Sequence, residues 1–211
     1  MREFIRKANA FFEVPIDLRG RVVVLFASLI LVAALLLPLW EISLYSNQFP
    51  EGLFVGIHAH GLEGAKSPIR DDLKEINSLN HYIGMRPLRD EDFTEFKWIP
   101  FVIGGVILLG LRVVVLGKMS KLVDLLVLFT YFGLFSLWSF YDKLFLYGHE
   151  LDPTAAVKVP PFTPPLFGHK TMANFEVYSY PDWGSYVMAL VPLLLLAAMW
   201  LSMRSFRKSQ T

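Results

Sequence analysis

The chain has 211 residues, 54% of them hydrophobic and 15% aromatic, with a formal net charge of only +1 and a mean hydropathy of +0.45. That balance belongs to a membrane protein rather than to one or two soluble domains. Cysteine is absent, which excludes disulfides, thiolate metal sites, iron–sulfur clusters and thiol catalysis, and no basic–aromatic surface points to nucleic acid.

Within the opening segment 1–18, Phe4, Ile5, Ala8, Phe11 and Phe12 recur at helical spacing, with Arg2, Arg6, Lys7 and Asn9 between them. This predicts a short amphipathic helix on the cytoplasmic membrane face, ended near Pro15. Arg19-Gly20-Arg21 introduces an uncharged apolar run from Val22 to Trp40. At about 1.5 Å per residue the run spans a hydrocarbon core of about 30 Å. No small-x-small cleavage site follows it, so a retained transmembrane helix is predicted over 19–42. Further apolar runs predict transmembrane helices over 98–116, 122–141 and 185–203. The segment 117–121 leaves room only for a tight turn, making the second and third helices an antiparallel hairpin. Trp40, Trp98, Trp138, Tyr141, Trp183 and Tyr186 fall where an aromatic belt is expected.

Basic residues set the orientation. Arg2, Arg6, Lys7, Arg19 and Arg21, then Arg112, Lys118 and Lys121, then Arg204, Arg207 and Lys208 of the tail 204–211 share one side, and most acids lie on the other. The expected fold is an all-α membrane protein of four transmembrane helices, with both termini cytoplasmic, in a bacterial inner membrane. A small mixed extracytoplasmic domain would be built from the outer segments 43–97 and 142–184. Arg112, inside its helix, is expected to snorkel or to pair with Asp124.

In the first outer segment Leu53, Val55, Ile57 and Ala59 alternate with Phe54, Gly56, His58 and His60, the period of a strand. Ser67-Pro68 followed by Asp71 and Asp72 reads as a helix start, and Leu73, Ile76 and Leu79 continue one helical face until Pro87. In the second, the run from Val159 to Pro165 favours an extended, polyproline-like path, and Glu176–Tyr180 reads as a short strand.

All five histidines fall in the two outer segments. On a strand, His58 and His60 share one face. If helical geometry runs past Leu79, His81 and Met85 do so at i, i+4. Imidazole suits copper and zinc, and thioether adds a preference for Cu(I). His149, Glu150, Asp152, His169 and Met172 could add ligands from the second segment. The apolar runs contain no histidine to ligate haem, so no haem is predicted. No glycine-rich phosphate loop, H-E-x-x-H helix or G-x-S-x-G elbow is present, so the chain reads as a non-enzyme.

Pro50-Glu51-Gly52-Leu53, the heptapeptide from Leu79 to Met85 (LNHYIGM), Pro160-Pro161, Pro164 to Gly168 and Asn174-Phe175 carry a resemblance. The chain resembles a family of small bacterial multi-pass membrane proteins that accompany copper-enzyme loci, including nitrous-oxide reductase maturation clusters. The resemblance covers both outer segments and the order of the spans. It implies a role beside a copper enzyme in maturation, metal delivery or electron supply. His81 and Met85 lie in the shared motif and become the leading metal residues, whereas His58 and His60 lie outside it.

The function expected is an inner-membrane accessory protein that assists a copper-dependent periplasmic or membrane enzyme, or its maturation factors, by transient Cu(I) binding on its outer face. The alternative is a structural subunit held permanently in a larger membrane complex, docking through its Pro-rich segment. A quinol-site component near Trp40, Trp98 and Trp138 is a third reading.

Overall fold

The computed structural model describes residues 1–172 and 174–208. Its helices are α1 (Arg2–Phe12), α2 (Leu18–Leu36), α3 (Asp72–Tyr82), α4 (Glu95–Leu116), α5 (Met119–His149) and α6 (Trp183–Lys208). Four of them, α2, α4, α5 and α6, are long and apolar enough to cross a membrane. The strands are β1 (Trp40–Tyr45), β2 (Leu53–Ile57), β3 (Leu62–Gly64), β4 (Lys66–Ser67), β5 (Arg70–Asp71), β6 (Gly168–Met172) and β7 (Phe175–Pro181). The chain forms two compact units. One comprises Met1–Leu35, Phe101–Leu134 and the chain from Tyr186; the other comprises Leu36–Pro100 and Phe135–Ser185.

In the helical unit the Asp17 side chain caps α2 by accepting from the Gly20 N–H at 2.8 Å, which satisfies one of the free amides of the first turn. Gly20 leaves no room for a Cβ beside Ser202 and Ile16, and Gly110 none beside Ser28. Small residues therefore let the backbones of α2, α4 and α6 approach closely, the usual device where lipid removes the hydrophobic drive between helices. The turn between α4 and α5 is fixed by Ile16 N–H donating to Gly117 O at 2.8 Å and Met119 N–H to Val14 O at 3.1 Å. Arg21 reaches the Val114 carbonyl at 3.3 Å, placing a cation on the exposed carbonyls of the α4 C-terminus. Asp124 pairs with Lys121 at 2.9 Å, not with Arg112 as the sequence suggested, because Lys121 lies one turn away on the same helix.

The second unit is built on an antiparallel sheet of order β3-β2-β1-β7-β6. The sequence gives no direct sign that the two segments share a sheet; β1 joins them by pairing with β7, Ile42 opposite Ser179 and Leu44 opposite Val177. One face carries Ile42, Leu44, Leu53 and Val55, and Leu53 and Val55 pack with Ile76 of α3. The opposite face carries Tyr45, Phe54 and Tyr178, with the Tyr45 ring 5.6 Å from Tyr178 and 6.0 Å from Phe54 in edge contacts. Alternation in each strand thus separates an apolar face from an aromatic one.

Several expectations shift at element ends. The span predicted over 19–42 leaves the helix at Leu36, because Pro38 cannot extend the ladder, and residues 40–42 lie in β1. Trp40 is buried rather than placed in a belt. Its indole N–H donates to Ser179 Oγ at 2.8 Å, and its ring meets Phe140 and Phe167 at 5.1 and 4.9 Å. Ser67-Pro68 is not a helix start but the turn of the small β4–β5 hairpin. The helix begins at Asp72, capped by Asp71 accepting from the Lys74 N–H at 3.4 Å. The segment 142–184 holds β6 as well as the expected strand at β7.

Candidate functional site

The strand predicted through His60 ends at Ile57. Residues 58–61 instead form a tight turn, closed by the His58 N–H donating to Gly61 O at 2.8 Å, before β3 returns along β2. The turn still brings the two imidazoles together, with ring centroids 5.5 Å apart. That spacing allows both rings to reach a single ion at ordinary metal–nitrogen distances of about 2 Å.

His58 is 13% exposed, and its Nε2 lies 3.3 Å from Glu63 Oε2. Its Nδ1 is buried and has no hydrogen-bond partner. The Glu63 carboxylate beside Nε2 favours the proton on that nitrogen, which leaves the lone pair on Nδ1. A carboxylate on one ring nitrogen with the other nitrogen open is the arrangement that orients metal-binding histidines. Glu63 is brought to the pair because β3 returns alongside β2, with Glu63 opposite Gly56. Asp90 borders the same turn, its Oδ1 accepting from the Leu62 N–H at 2.9 Å. Neither carboxylate stands out in the sequence, although the run His58-Ala59-His60-Gly61-Leu62-Glu63 holds the signal for the first: a glycine turn with a carboxylate just beyond it. Among the described residues no three His, Asp or Glu side chains form a ready-made ligand set.

His81 and Met85 lie elsewhere in the unit, and their helical relation is not kept. Helix α3 stops at Tyr82. Gly84 takes φ +78°, Gly84 N–H donates to His81 O at 3.2 Å, and Met85 N–H to Asn80 O at 2.8 Å. These are the two bonds of a Schellman stop, so the heptapeptide 79–85 is in part a helix-termination signal. Both residues nonetheless line one polar cleft of about 760 Å³ with Arg86, Glu150, Asp152 and Thr154. The second segment is laced to this stop by Asp152 N–H to Gly84 O at 2.8 Å and Val157 N–H to Tyr82 O at 2.9 Å.

Within the cleft Glu150 is paired with Arg86 at 2.6 Å. The Thr154 hydroxyl and amide hold the Asp152 carboxyl below its ordinary range, helped by His81. The structure therefore brings His81, Met85, Glu150 and Asp152 to one cleft, with both carboxylates engaged by other groups. His149 stacks on Phe145 at 3.8 Å and His169 on Tyr178 at 5.5 Å. Comparison with family models, with curated proteins and with solved structures returns no match.

Proposed function

We propose that this chain is a membrane-anchored accessory protein of a copper-dependent membrane or periplasmic enzyme, handling Cu(I) transiently at the His58–His60 pair on the outer side of a bacterial inner membrane. The observation that carries the reading is the buried, unpartnered Nδ1 of His58 beside a second imidazole, with the Glu63 carboxylate 3.3 Å from the opposite ring nitrogen. Imidazole is a good ligand for copper. Two imidazoles leave coordination positions open for a partner's ligand, which suits passing an ion on rather than storing it.

The test is competition against a chromophoric Cu(I) chelator, using the full chain in detergent. Glu63→Gln keeps the shape but removes the carboxylate charge beside His58 Nε2, and is expected to lower affinity about 10–100-fold, as loss of such a partner commonly does. The double variant His58→Ala/His60→Ala should lose binding at this site altogether. An unchanged Cu(I) affinity in the double variant would sink the assignment to this pair. A loss confined to His81→Ala/Met85→Ala would move it to the cleft.

A further inference from the structure

The apolar face of the sheet is not fully covered by α3 and the end of α5. Between them lies a cavity of about 380 Å³, within the range of roughly 300–1,000 Å³ usual for small-molecule sites. Ile42, Val55, Leu79, Phe140, Leu144 and Val159 are representative of its wall. Of the five polar residues along it, Asn80 and Thr171 stand among apolar neighbours, and the other three are engaged. Lys143 Nζ lies 3.9 Å from Glu95 Oε2, Tyr147 donates to the Pro87 carbonyl at 3.4 Å, and Lys170 donates to the Thr163 carbonyl at 3.1 Å. A wall this apolar offers water few partners, and a hydrocarbon lying in it gains dispersion contacts along the whole lining. A hydrocarbon fits the wall chemistry.

Two further observations choose the occupant. Phe140, Leu144 and Tyr147 follow one face of α5, and the same continuous helix is one of the four long enough to cross a membrane. The wall and the source of hydrocarbon thus share one helix. Val159, Pro160, Phe162 and Pro164 of the Pro-rich segment also line the cavity, and its prolines have no N–H to leave unsatisfied against an apolar ligand. Phe162 satisfies its own amide on Gly148 O at 3.0 Å. We propose that this cavity holds the hydrocarbon chain of a membrane lipid, with the Pro-rich segment as its cover.

The test reconstitutes the full chain into phosphatidylcholine vesicles carrying a small fraction of phospholipid with a diazirine on its acyl chain, and maps the labelled peptides after irradiation. Saturable labelling is expected on the peptides containing Leu144 and Val159. It should fall severalfold in Leu144→Phe and in Val159→Phe, where an added ring narrows the cavity at the labelled position. Labelling of the exposed span residues Leu108 and Leu193 should not change. Val159 lies partly exposed, so its variant keeps the test decisive if Leu144→Phe fails to fold. Labelling confined to the span faces and indifferent to both variants would overturn the proposal. So would a cavity occupied by a co-purifying polypeptide that cross-links there in place of lipid.

Discussion

Replacing Asp72 by Ala is expected to lower the stability of the sheet unit by about 3–5 kcal/mol, the usual cost of breaking a buried ion pair from one side. The Asp72 side chain is 1% exposed, and its Oδ1 lies 2.7 Å from Arg70 Nε. Its Oδ2 accepts from the Phe54 N–H at 2.9 Å. One carboxylate thus joins the start of α3 to β2 and to the β4–β5 hairpin. Removing it leaves the Phe54 amide without its acceptor and the Arg70 guanidinium, itself 29% exposed, with only the Gly52 carbonyl at 3.2 Å and Glu51 at 3.8 Å. Denaturant unfolding of the detergent-solubilised chain, followed by tryptophan fluorescence, measures the loss. Changing Arg70 and Asp72 together to apolar residues should recover part of it, because the unpaired charge disappears with the pair. A single Asp72→Ala variant as stable as the parent would show that the carboxylate does not join these elements energetically.

Gly84→Ala is the second large effect. The residue sits at φ +78°, a region that costs a side-chain-bearing residue about 1–2 kcal/mol. A Cβ there would also stand 2.7 Å from the Asp152 carbonyl oxygen, so the segment after α5 would have to move. The expected result is a loss beyond the conformational term alone, with faster amide exchange at Asp152 and Val157, whose N–H groups donate to the Gly84 and Tyr82 carbonyls. If exchange at those amides is unchanged, the helix stop does not organise the cleft.

The parts of the fold read most directly from sequence are those with a strong local period. The four apolar runs are helices long enough to cross a membrane, Val55 sits in a strand where alternation placed it, and Val177 lies in the short strand expected over Glu176–Tyr180. Element ends were harder because competing local signals overlap there. Ser67-Pro68 resembles a cap, yet the hydrogen bond is supplied by Asp71. His81 and Met85 have helical spacing, yet Gly84 carries the stronger instruction to stop. Strand β6 holds His169, Lys170 and Thr171, all exposed, so no apolar alternation marks it. The pairing of β1 with β7 joins residues far apart in the chain and has no local signature at all.

The candidate site was legible as a set of residue types but not as a geometry. The two-residue spacing of His58 and His60 suggested a shared strand face, while the contact between their rings is made by a turn. Glu63 joins them only because β3 folds back on β2. The resemblance favoured His81 and Met85, which line a cleft whose carboxylates are already committed to Arg86 and Thr154.

The most direct test of the central claim is a mild-detergent pull-down of the tagged native protein, with metal analysis and mass spectrometry on the same eluate. The account predicts copper that tracks with this chain, falls in the His58→Ala/His60→Ala variant, and accompanies a substoichiometric enzyme or maturation partner. A metal-free chain held at fixed ratio in an enzyme complex would contradict it and leave a purely structural subunit.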